Sequence, residues 1–344
     1  MTKKRIVIIA IFLLLLALIA YIIYGRILWS PNVKINSGKS KEIFISTGSS
    51  FDDVMRTLKD SSLLISESSF RTLAGFMNYN KEEVPAGRYV LTHDLSNHNL
   101  ITKLRSGDQD AQNVVINNIR TIYNLAGKAS RYFESDSIDF LNYLTDSAVC
   151  QQYGFVPENF LTMFIPNTYK MFWTATPEKF VVRMKKEYDN FWTPEKVAKI
   201  EAKNITKTEA YVIASIVEKE SNYDPERPTI AGVYLNRLKA GEKLQADPTV
   251  VFATGDFNLQ RVLYSHLETD SPYNTYKYAG LPPGPICMPS ISSLNAVIDS
   301  ENHDYMFFCA KADNSGIHVF AKDYAEHQRN AAAFAHWLNS LNIK

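Results

Sequence analysis

The first pattern along the chain is an uncharged apolar run close to its N-terminus. Residues 6–24 carry no charge, and Lys3, Lys4 and Arg5 come immediately before them. Nineteen helical residues at ~1.5 Å rise span about 28 Å, close to the thickness of a bilayer's hydrocarbon core. Because basic residues flank the run on its N-terminal side, we expect a cytoplasmic N-terminus and an extracytoplasmic chain after Arg26.

A cleaved signal peptide is the alternative interpretation of this run. The run is longer than the apolar part of a usual signal peptide, and residues 21–26 (YIIYGR) lack a small-x-small cleavage site. The sequence therefore predicts an uncleaved single-pass anchor over residues 1–26. Residues 30–40 are polar and contain a Pro and a Gly, and residues 27–41 are therefore expected to be a linker.

A compact α/β segment is predicted next, over residues 42–109. Its apolar spacing predicts these elements: strands at 43–45 and 85–91, and helices at 51–59, 66–77 and 97–105. A Gly-Ser-Ser turn at 48–50 can cap the first helix. The order of strand, turn and helix resembles a LysM-type module, a small fold that binds glycans containing N-acetylglucosamine. A plain structural subdomain fits the same pattern.

Residues 110–344 predict a larger mixed α/β domain, so that the fold class of the chain is α+β. The predicted elements are a strand at 114–116, a mostly helical stretch at 122–145, and helices at 177–192, 206–221 and 230–238. Roughly 315 residues outside the anchor are too many for one small core and suit two domains.

Composition excludes several classes of function. The 37 basic and 36 acidic residues leave a net charge of +1, which provides no basic surface for nucleic acid. The motifs of serine hydrolases, P-loop proteins and zinc proteases are absent, and the seven histidines are scattered. We therefore expect neither a metal nor a cofactor. Cys150, Cys287 and Cys309 allow at most one disulfide, and their spacing does not identify a pair.

One carboxylate stands out on the predicted helix 206–221. At about 100° per residue, Glu220 falls on the apolar stripe that contains Val217, whereas Glu218 points to one side. A carboxylate among apolar neighbours loses hydration, so its pKa rises and it can hold a proton near neutral pH. Glu220 is therefore predicted to be a general acid. An ion pair with Arg227 or Arg237 is the alternative.

Two downstream segments are polar and loop-like. The first, residues 244–250 (LQADPTV), places Asp247 before a proline, a pattern that also suits a plain helix N-cap. The second, residues 271–286, is dense in Pro and Gly and predicts a rigid loop that carries Asn274 and Tyr276. Rigid loops with Asn and Tyr suit sugar binding, although a simple turn connection fits as well.

Five motifs, taken in order, resemble the endolytic murein transglycosylase (YceG-like) family over nearly the whole chain. They are ASIVEKES at 214–221, VYLNRL at 233–238, LQADPTV at 244–250, YNTY at 273–276 and GLPPGPI at 280–286. Two segments depart from the family pattern. Residues 117–119 (NNI) stand where a Glu-Gly is common, and residues 287–290 (CMPS) stand where a Pro-Gly pair is common.

The resemblance implies a bacterial membrane-anchored lyase that cuts nascent peptidoglycan strands internally. It also implies a LysM-like subdomain joined to a catalytic domain with a groove like that of lytic transglycosylases. In that group the catalytic Glu precedes a Ser, an aromatic residue and an Asx-Pro, which fits Glu220 and not Glu218. Peptidoglycan strands would be the partner, with the cell-wall synthesis machinery as a further one.

The resemblance also implies a mechanism with one acid. Glu220 would protonate the glycosidic oxygen and then accept the proton of the muramoyl 6-hydroxyl, leaving a 1,6-anhydro end. The substrate's own acetamido oxygen could stabilise the developing cation, outside the two-carboxylate scheme. We expect Gln245, Asn274 and Tyr276 to hold acetamido and hydroxyl groups, and Asp247 to position them or to cap a helix.

Two other functions remain open at this point. A hydrolytic muramidase of the same fold would need a placed water and usually a second acid, for which Asp247 is the nearby candidate. A non-catalytic glycan-binding scaffold of the synthesis machinery would use the LysM-like part as its working end.

Overall fold

A computed structural model describes residues 3–36, 38–259 and 261–341. The chain forms two compact units. The first draws on Met1–Asn113, Tyr132–Glu134 and Lys170–Thr176, and the second on Val114–Arg131, Ser135–Tyr169 and Pro177–Lys344. Helices and short strands are mixed, as the α+β prediction requires.

The predicted apolar run forms helix α1 (Lys3–Trp29). Within the described residues it is the one helix long and apolar enough to cross a membrane, with a mean hydropathy of 3.4. Such a helix is typical of a membrane anchor or a signal sequence. It continues into the predicted linker, where Ile27 and Leu28 pack against the core of the first unit and Val33 is fully buried. Apolar side chains at these positions explain why the linker joins the core.

The described residues of the first unit form one antiparallel strand pair and three helices besides α1. They are β1 (Ser40–Ile45), α2 (Phe51–Asp60), α3 (Glu67–Phe76), β2 (Gly87–Thr92) and α4 (Asn97–Ser106). Ser40 lies opposite Thr92, and Ile45 lies opposite Gly87. All five predicted elements are confirmed within a few residues.

Local signals explain the helix ends of this unit. Ser50 and Asp53 form a capping box at the start of α2, and Gly107 ends α4 in the left-handed conformation that favours glycine, with φ 70°. Apolar residues at helical and strand spacing meet in one core, in which Leu58, Phe70 and other side chains are fully buried.

The remaining elements follow in chain order. They are β3 (Gln112–Ile116), α5 (Ile122–Ala129), α6 (Ser137–Thr145), α7 (Ser147–Gln152), β4 (Asn167–Met171), α8 (Pro177–Phe191), α9 (Pro194–Glu201), α10 (Lys207–Glu220), α11 (Arg227–Lys239), α12 (Asp247–Thr254), α13 (Tyr264–Leu267), α14 (Ile291–Ile298), β5 (Phe307–Ala310), β6 (His318–Ala321) and α15 (Tyr324–Ser340). Strand β3 pairs with β4, and β5 pairs with β6.

The stretch at 122–145 is helical as predicted but is broken in the middle. Helix α5 ends at Ala129 and passes into a 3-10 turn at Ser130–Tyr132. Helix α6 starts afresh, because the extended Asp136 accepts hydrogen bonds from the backbone amides of Ile138 and Asp139. A strong N-cap therefore divides one apolar pattern into two helices.

Helix α10 lies in the centre of the second unit. Thr206 and Glu209 form a capping box at its start. Every residue from 210 to 217 is buried, although the sequence indicated one apolar stripe. The reason is that α11, α12 and α14 all pack against α10. A helix enclosed in this way holds its C-terminal end firmly.

Candidate active site

Glu220 is the last residue of α10, at the point where the helix leaves the core. Ile216 and Val217, one turn earlier, are completely buried. Ser221 is extended (φ −141°, ψ 137°), so the chain turns away directly after Glu220. The Glu220 side chain is partly buried, and the hydroxyl of Tyr234 donates a hydrogen bond of 2.6 Å to its Oε1. Tyr234 comes from α11 and is itself 2% exposed.

The surroundings of Glu220 favour its protonated form. Burial raises the pKa of Glu220 to about 7, the negative charge of Asp247 acts in the same direction, and the Tyr234 hydrogen bond opposes both. A carboxyl with this pKa holds a proton in a large fraction of molecules at neutral pH. It can therefore donate that proton and take one back.

Glu218, two residues earlier, has opposite surroundings. Its Oε2 accepts hydrogen bonds from the Ser290 amide (3.1 Å) and from the Ser290 and Ser293 hydroxyls (2.6 Å each). Arg227 lies 3.6 Å from the same oxygen. Burial acts to raise the pKa of Glu218, but these hydrogen bonds and the arginine charge outweigh it, so the pKa lies below its usual value. Glu218 is thus held as an anion.

Neither arginine that could have neutralised Glu220 forms an ion pair with it in the part of the chain that the structure describes. Arg227 pairs with Asp224 at 2.8 Å and with Glu218. Arg237 donates to Gln245 Oε1 at 2.6 Å. The ion-pair alternative for Glu220 is therefore wrong, because both guanidinium groups have other partners.

The residue after Glu220 belongs to a buried polar network. Ser221 Oγ donates to Glu226 Oε1 at 2.5 Å, and both the amide and the Nδ1 of His318 lie 2.9 Å from the Glu226 carboxylate. The Arg227 guanidinium donates twice to the Ser221 carbonyl, at 3.1 and 3.0 Å. These contacts fix the backbone on the C-terminal side of Glu220.

Asp247 and Tyr276 meet near Glu220. Asp247 is exposed and is the first residue of α12, while Ala246 occupies the N-cap position and no side chain caps this helix. The predicted N-cap role of Asp247 is therefore wrong, because the helix begins one residue earlier than that role requires. Instead, Asp247 Oδ1 accepts a 2.6 Å hydrogen bond from the Tyr276 hydroxyl.

Gln245 and Asn274 differ in how accessible they are. Gln245 is exposed, in a left-handed backbone conformation (φ 53°), with its Oε1 on Arg237. Asn274 is fully buried; its amide donates to the carbonyls of Leu267 (2.8 Å) and Thr269 (2.9 Å). Its Oδ1 accepts from the backbone amide of Tyr276. The structure thus places Asn274 beneath the loop and not on its surface.

Two cavities meet at Glu220. One, of about 470 Å³, is lined by Glu220 and Asp247 together with Phe252 and Phe257. The other, of about 350 Å³, is lined by Glu220, Asp247, Tyr234, Gln245 and Tyr276. Four of the five predicted site residues therefore line these cavities, and Glu220 and Asp247 line both. Asn274 lines neither.

The sequence reasoning missed Tyr234 and Glu226 as members of this region. Tyr234 lies inside the quoted motif VYLNRL, but its apolar neighbours suggested an ordinary core position. Glu226 comes from the turn before α11 and meets His318 on β6, a pairing across 92 residues that no local pattern indicates. His318 pairs with a protein carboxylate through both its backbone amide and its ring.

All three cysteines are free thiols, so none of the possible disulfides forms in this structure. Burial raises the pKa of the Cys287 thiol to about 12. In the part of the chain that the structure describes, no cluster of three or more His, Cys, Asp or Glu residues could hold a metal ion.

Several known proteins are similar to this chain over most of its length. The profile of the YceG-like family matches residues 43–333. A Bacillus subtilis (strain 168) protein named endolytic murein transglycosylase is 29% identical over 340 residues, covering 94% of this chain and 91% of that protein. A protein of the same name from Streptococcus pneumoniae serotype 2 is 28% identical over 94% of this chain, which spans 63% of its length. A crystal structure of a YceG-like protein from Listeria monocytogenes has a TM-score of 0.56 and 28% identity, covering 85% of this chain and 99% of that one.

Proposed function

Because the chain belongs to the YceG-like family, we propose that it is an endolytic peptidoglycan lytic transglycosylase. It cleaves the bond between N-acetylmuramic acid and N-acetylglucosamine in nascent strands and leaves 1,6-anhydro ends. The names of the relatives at 27–29% identity support the peptidoglycan transglycosylase role. The observation that carries the chemistry is the raised pKa of Glu220, between two open cavities.

Glu220 acts first as acid and then as base. Its proton goes to the glycosidic oxygen, and the bond from that oxygen to the muramoyl C1 breaks. The carboxylate then accepts the proton of the muramoyl 6-hydroxyl, whose oxygen forms the new bond to C1. No water is consumed, and Glu220 ends protonated as it began. The Tyr234 hydroxyl, 2.6 Å away, holds the carboxyl in place and stabilises it when it is ionised.

The neighbouring polar groups position the sugar. Gln245 and Tyr276 line the smaller cavity, where their side chains can meet acetamido and hydroxyl groups. Asp247 orients the Tyr276 hydroxyl and faces both cavities. Asn274 acts indirectly, because its buried amide holds the loop that presents Tyr276.

The two cavities that share Glu220 suit cleavage inside a strand. A strand bound across the site has sugars on each side of the broken bond, and each side needs space. A third cavity, of about 520 Å³, shares Asp247 and Tyr276 with the smaller one and extends the path. These connected spaces are the proposed lytic-transglycosylase-like groove.

The helix α1 would anchor this enzyme in the cell membrane with its N-terminus in the cytoplasm and its catalytic residues outside. Lys3, Lys4 and Arg5 before the apolar run support that orientation. The first unit, with its strand pair and three capped helices, is the proposed LysM-like glycan-binding part. The synthesis machinery that makes the strands is a proposed neighbour.

A hydrolytic muramidase is the second candidate, and one observation favours it. Asp247 lines both cavities with Glu220, so a water held by Asp247 could attack C1 in place of the 6-hydroxyl. The products separate the two functions, because hydrolysis adds oxygen from water to the new end.

The test is digestion of peptidoglycan strands by the detergent-solubilised full chain in heavy-oxygen water. We expect unlabelled ends, one water lighter than reducing ends and resistant to borohydride. Label at the muramoyl C1 would establish the muramidase. Cleavage that persists in the Glu220→Gln variant would remove Glu220 from either mechanism.

A further inference from the structure

A separate cavity of about 1030 Å³ opens in the second unit beside the proposed active site. Its walls come from residues 117–131, the turn at 166–168, the end of α10 and residues 287–291. None of the five predicted site residues lines this space, and the proposed chemistry does not use it. Its lining is rich in asparagine and basic side chains, which is not typical of a packing defect.

The lining carries an excess of positive charge. Among the described residues, Arg120, Lys128, Arg131 and Lys219 line the cavity, against one carboxylate, Glu218. The formal charge of these residues is therefore four minus one, or +3. Glu218 does not neutralise these four cations, because its Oε2 faces Ser290, Ser293 and Arg227.

Two of the four cations have no partner of their own. Within the described ranges, Arg131 and Lys219 make neither a hydrogen bond nor an ion pair with another side chain. Lys128 donates to the carbonyl and the side-chain oxygen of Asn117, both at 2.7 Å, and Arg120 stacks over the Phe257 ring at 4.1 Å. These neutral contacts orient the charges without cancelling them, so an anionic ligand would complete the site.

The cavity shares part of its wall with the space around Glu220. Arg120 and Lys219 line both this cavity and the 470 Å³ cavity that contains Glu220. When a sugar is bound at Glu220, a substituent of that sugar that points towards the basic cavity would therefore pass between Arg120 and Lys219. In peptidoglycan, the anionic substituent on the strand is the peptide stem, which is attached to the muramoyl lactyl group and ends in carboxylates.

We propose that this basic cavity binds the carboxylates of a peptide stem and makes the chain select stem-bearing strands over stripped ones. The inference takes its substrate class, peptidoglycan strands, from the proposed function. It does not rest on the reaction type, since a muramidase with the same groove would use the cavity in the same way.

Binding by the inactive Glu220→Gln full chain tests this without any cleavage. Glycan oligomers with intact stems are compared by calorimetry with oligomers from which an amidase has removed the stems. We expect roughly tenfold tighter binding of the stem-bearing oligomers, as two charge-assisted contacts allow. Higher salt should reduce the difference, because the contacts are partly exposed.

A double substitution then locates the effect. Lys128→Gln with Arg131→Gln removes two cations that line the basic cavity but not the Glu220 cavities. The matched control is Lys203→Gln with Lys239→Gln, which removes two lysines from another cavity of about 640 Å³. We expect the first pair to reduce the preference for stems several-fold, because Arg120 and Lys219 remain, and the control to leave it unchanged.

Equal affinity of the Glu220→Gln chain for both oligomers would overturn the proposal, as would a preference that the loss of Lys128 and Arg131 leaves unchanged. The proposed function fails by a different result, namely absence of cleavage by the wild-type chain. Absence of cleavage would not contradict a measured preference for stem-bearing oligomers, because binding is measured without cleavage. Circular dichroism of each variant separates a lost contact from lost folding.

Discussion

The two glutamates at the end of α10 lie two residues apart but in contrasting surroundings. Glu220 accepts a hydrogen bond from the neutral hydroxyl of Tyr234 and has the charge of Asp247 nearby, and its pKa rises to about 7. Glu218 has three hydrogen bonds and an arginine, and its pKa falls below the usual value. Burial acts on both in the same direction. The number and charge of the donors therefore decide which carboxyl can act as an acid.

The largest expected effect is on catalysis. Glu220→Gln keeps the shape of the side chain and removes its transferable proton, so cleavage should fall by roughly 10²–10⁴-fold. Glu218→Gln is the matched control and should retain most activity, because its carboxylate is held as an anion away from the proton transfer. Product release measured by chromatography of digests checks both. Greater loss in the Glu218 variant would reverse our assignment.

The contrast should also appear in how stability depends on pH. The folded-state pKa of Glu220 is raised from 4.5 to about 7, so its neutral form stabilises the protein below pH 4.5. That stability is lost as pH rises through about 7, by up to about 3 kcal/mol. Glu220→Gln should remove this loss, so that the variant gains stability relative to the wild type with rising pH. Denaturant unfolding at several pH values measures it.

Glu218 should show the opposite sign. Its pKa is lowered in the folded state, so it contributes stability above its unfolded pKa and loses it as pH falls through the folded value. Glu218→Gln leaves Ser290, Ser293 and Arg227 with a weaker partner. We expect a loss of about 1–3 kcal/mol at neutral pH, which shrinks towards acid pH. A loss independent of pH would contradict the anionic state of Glu218.

The smallest expected effect comes from removing the hydrogen bond that the Tyr234 hydroxyl donates to Glu220. Tyr234→Phe removes the hydrogen bond that lowers the pKa of Glu220, so that pKa should rise further. The alkaline limb of the pH–activity profile should then move to higher pH, and stability should fall by about 0.5–1.5 kcal/mol. A profile identical to that of the wild type would show that Tyr234 serves packing alone.

Much of the first unit followed from local patterns. Residues at 51–59, 66–77 and 97–105 combine apolar spacing with Ser caps, and α2, α3 and α4 form there. The membrane-length helix likewise follows from its composition. By contrast, the break in the helical stretch at 122–145 was missed, because the spacing of apolar residues continues across the Asp136 cap.

The sequence by itself determined the apolar helix, most helices, the family and the candidate acid, because these depend on periodicity and on short ordered motifs. Only the tertiary structure decided what surrounds each carboxylate. Tyr234 reaches Glu220 across 14 residues, and Ser290 reaches Glu218 across 72. The pKa of each carboxyl depends on hydrogen-bond partners and charges that folding brings from distant segments. No local sequence pattern contains these partners.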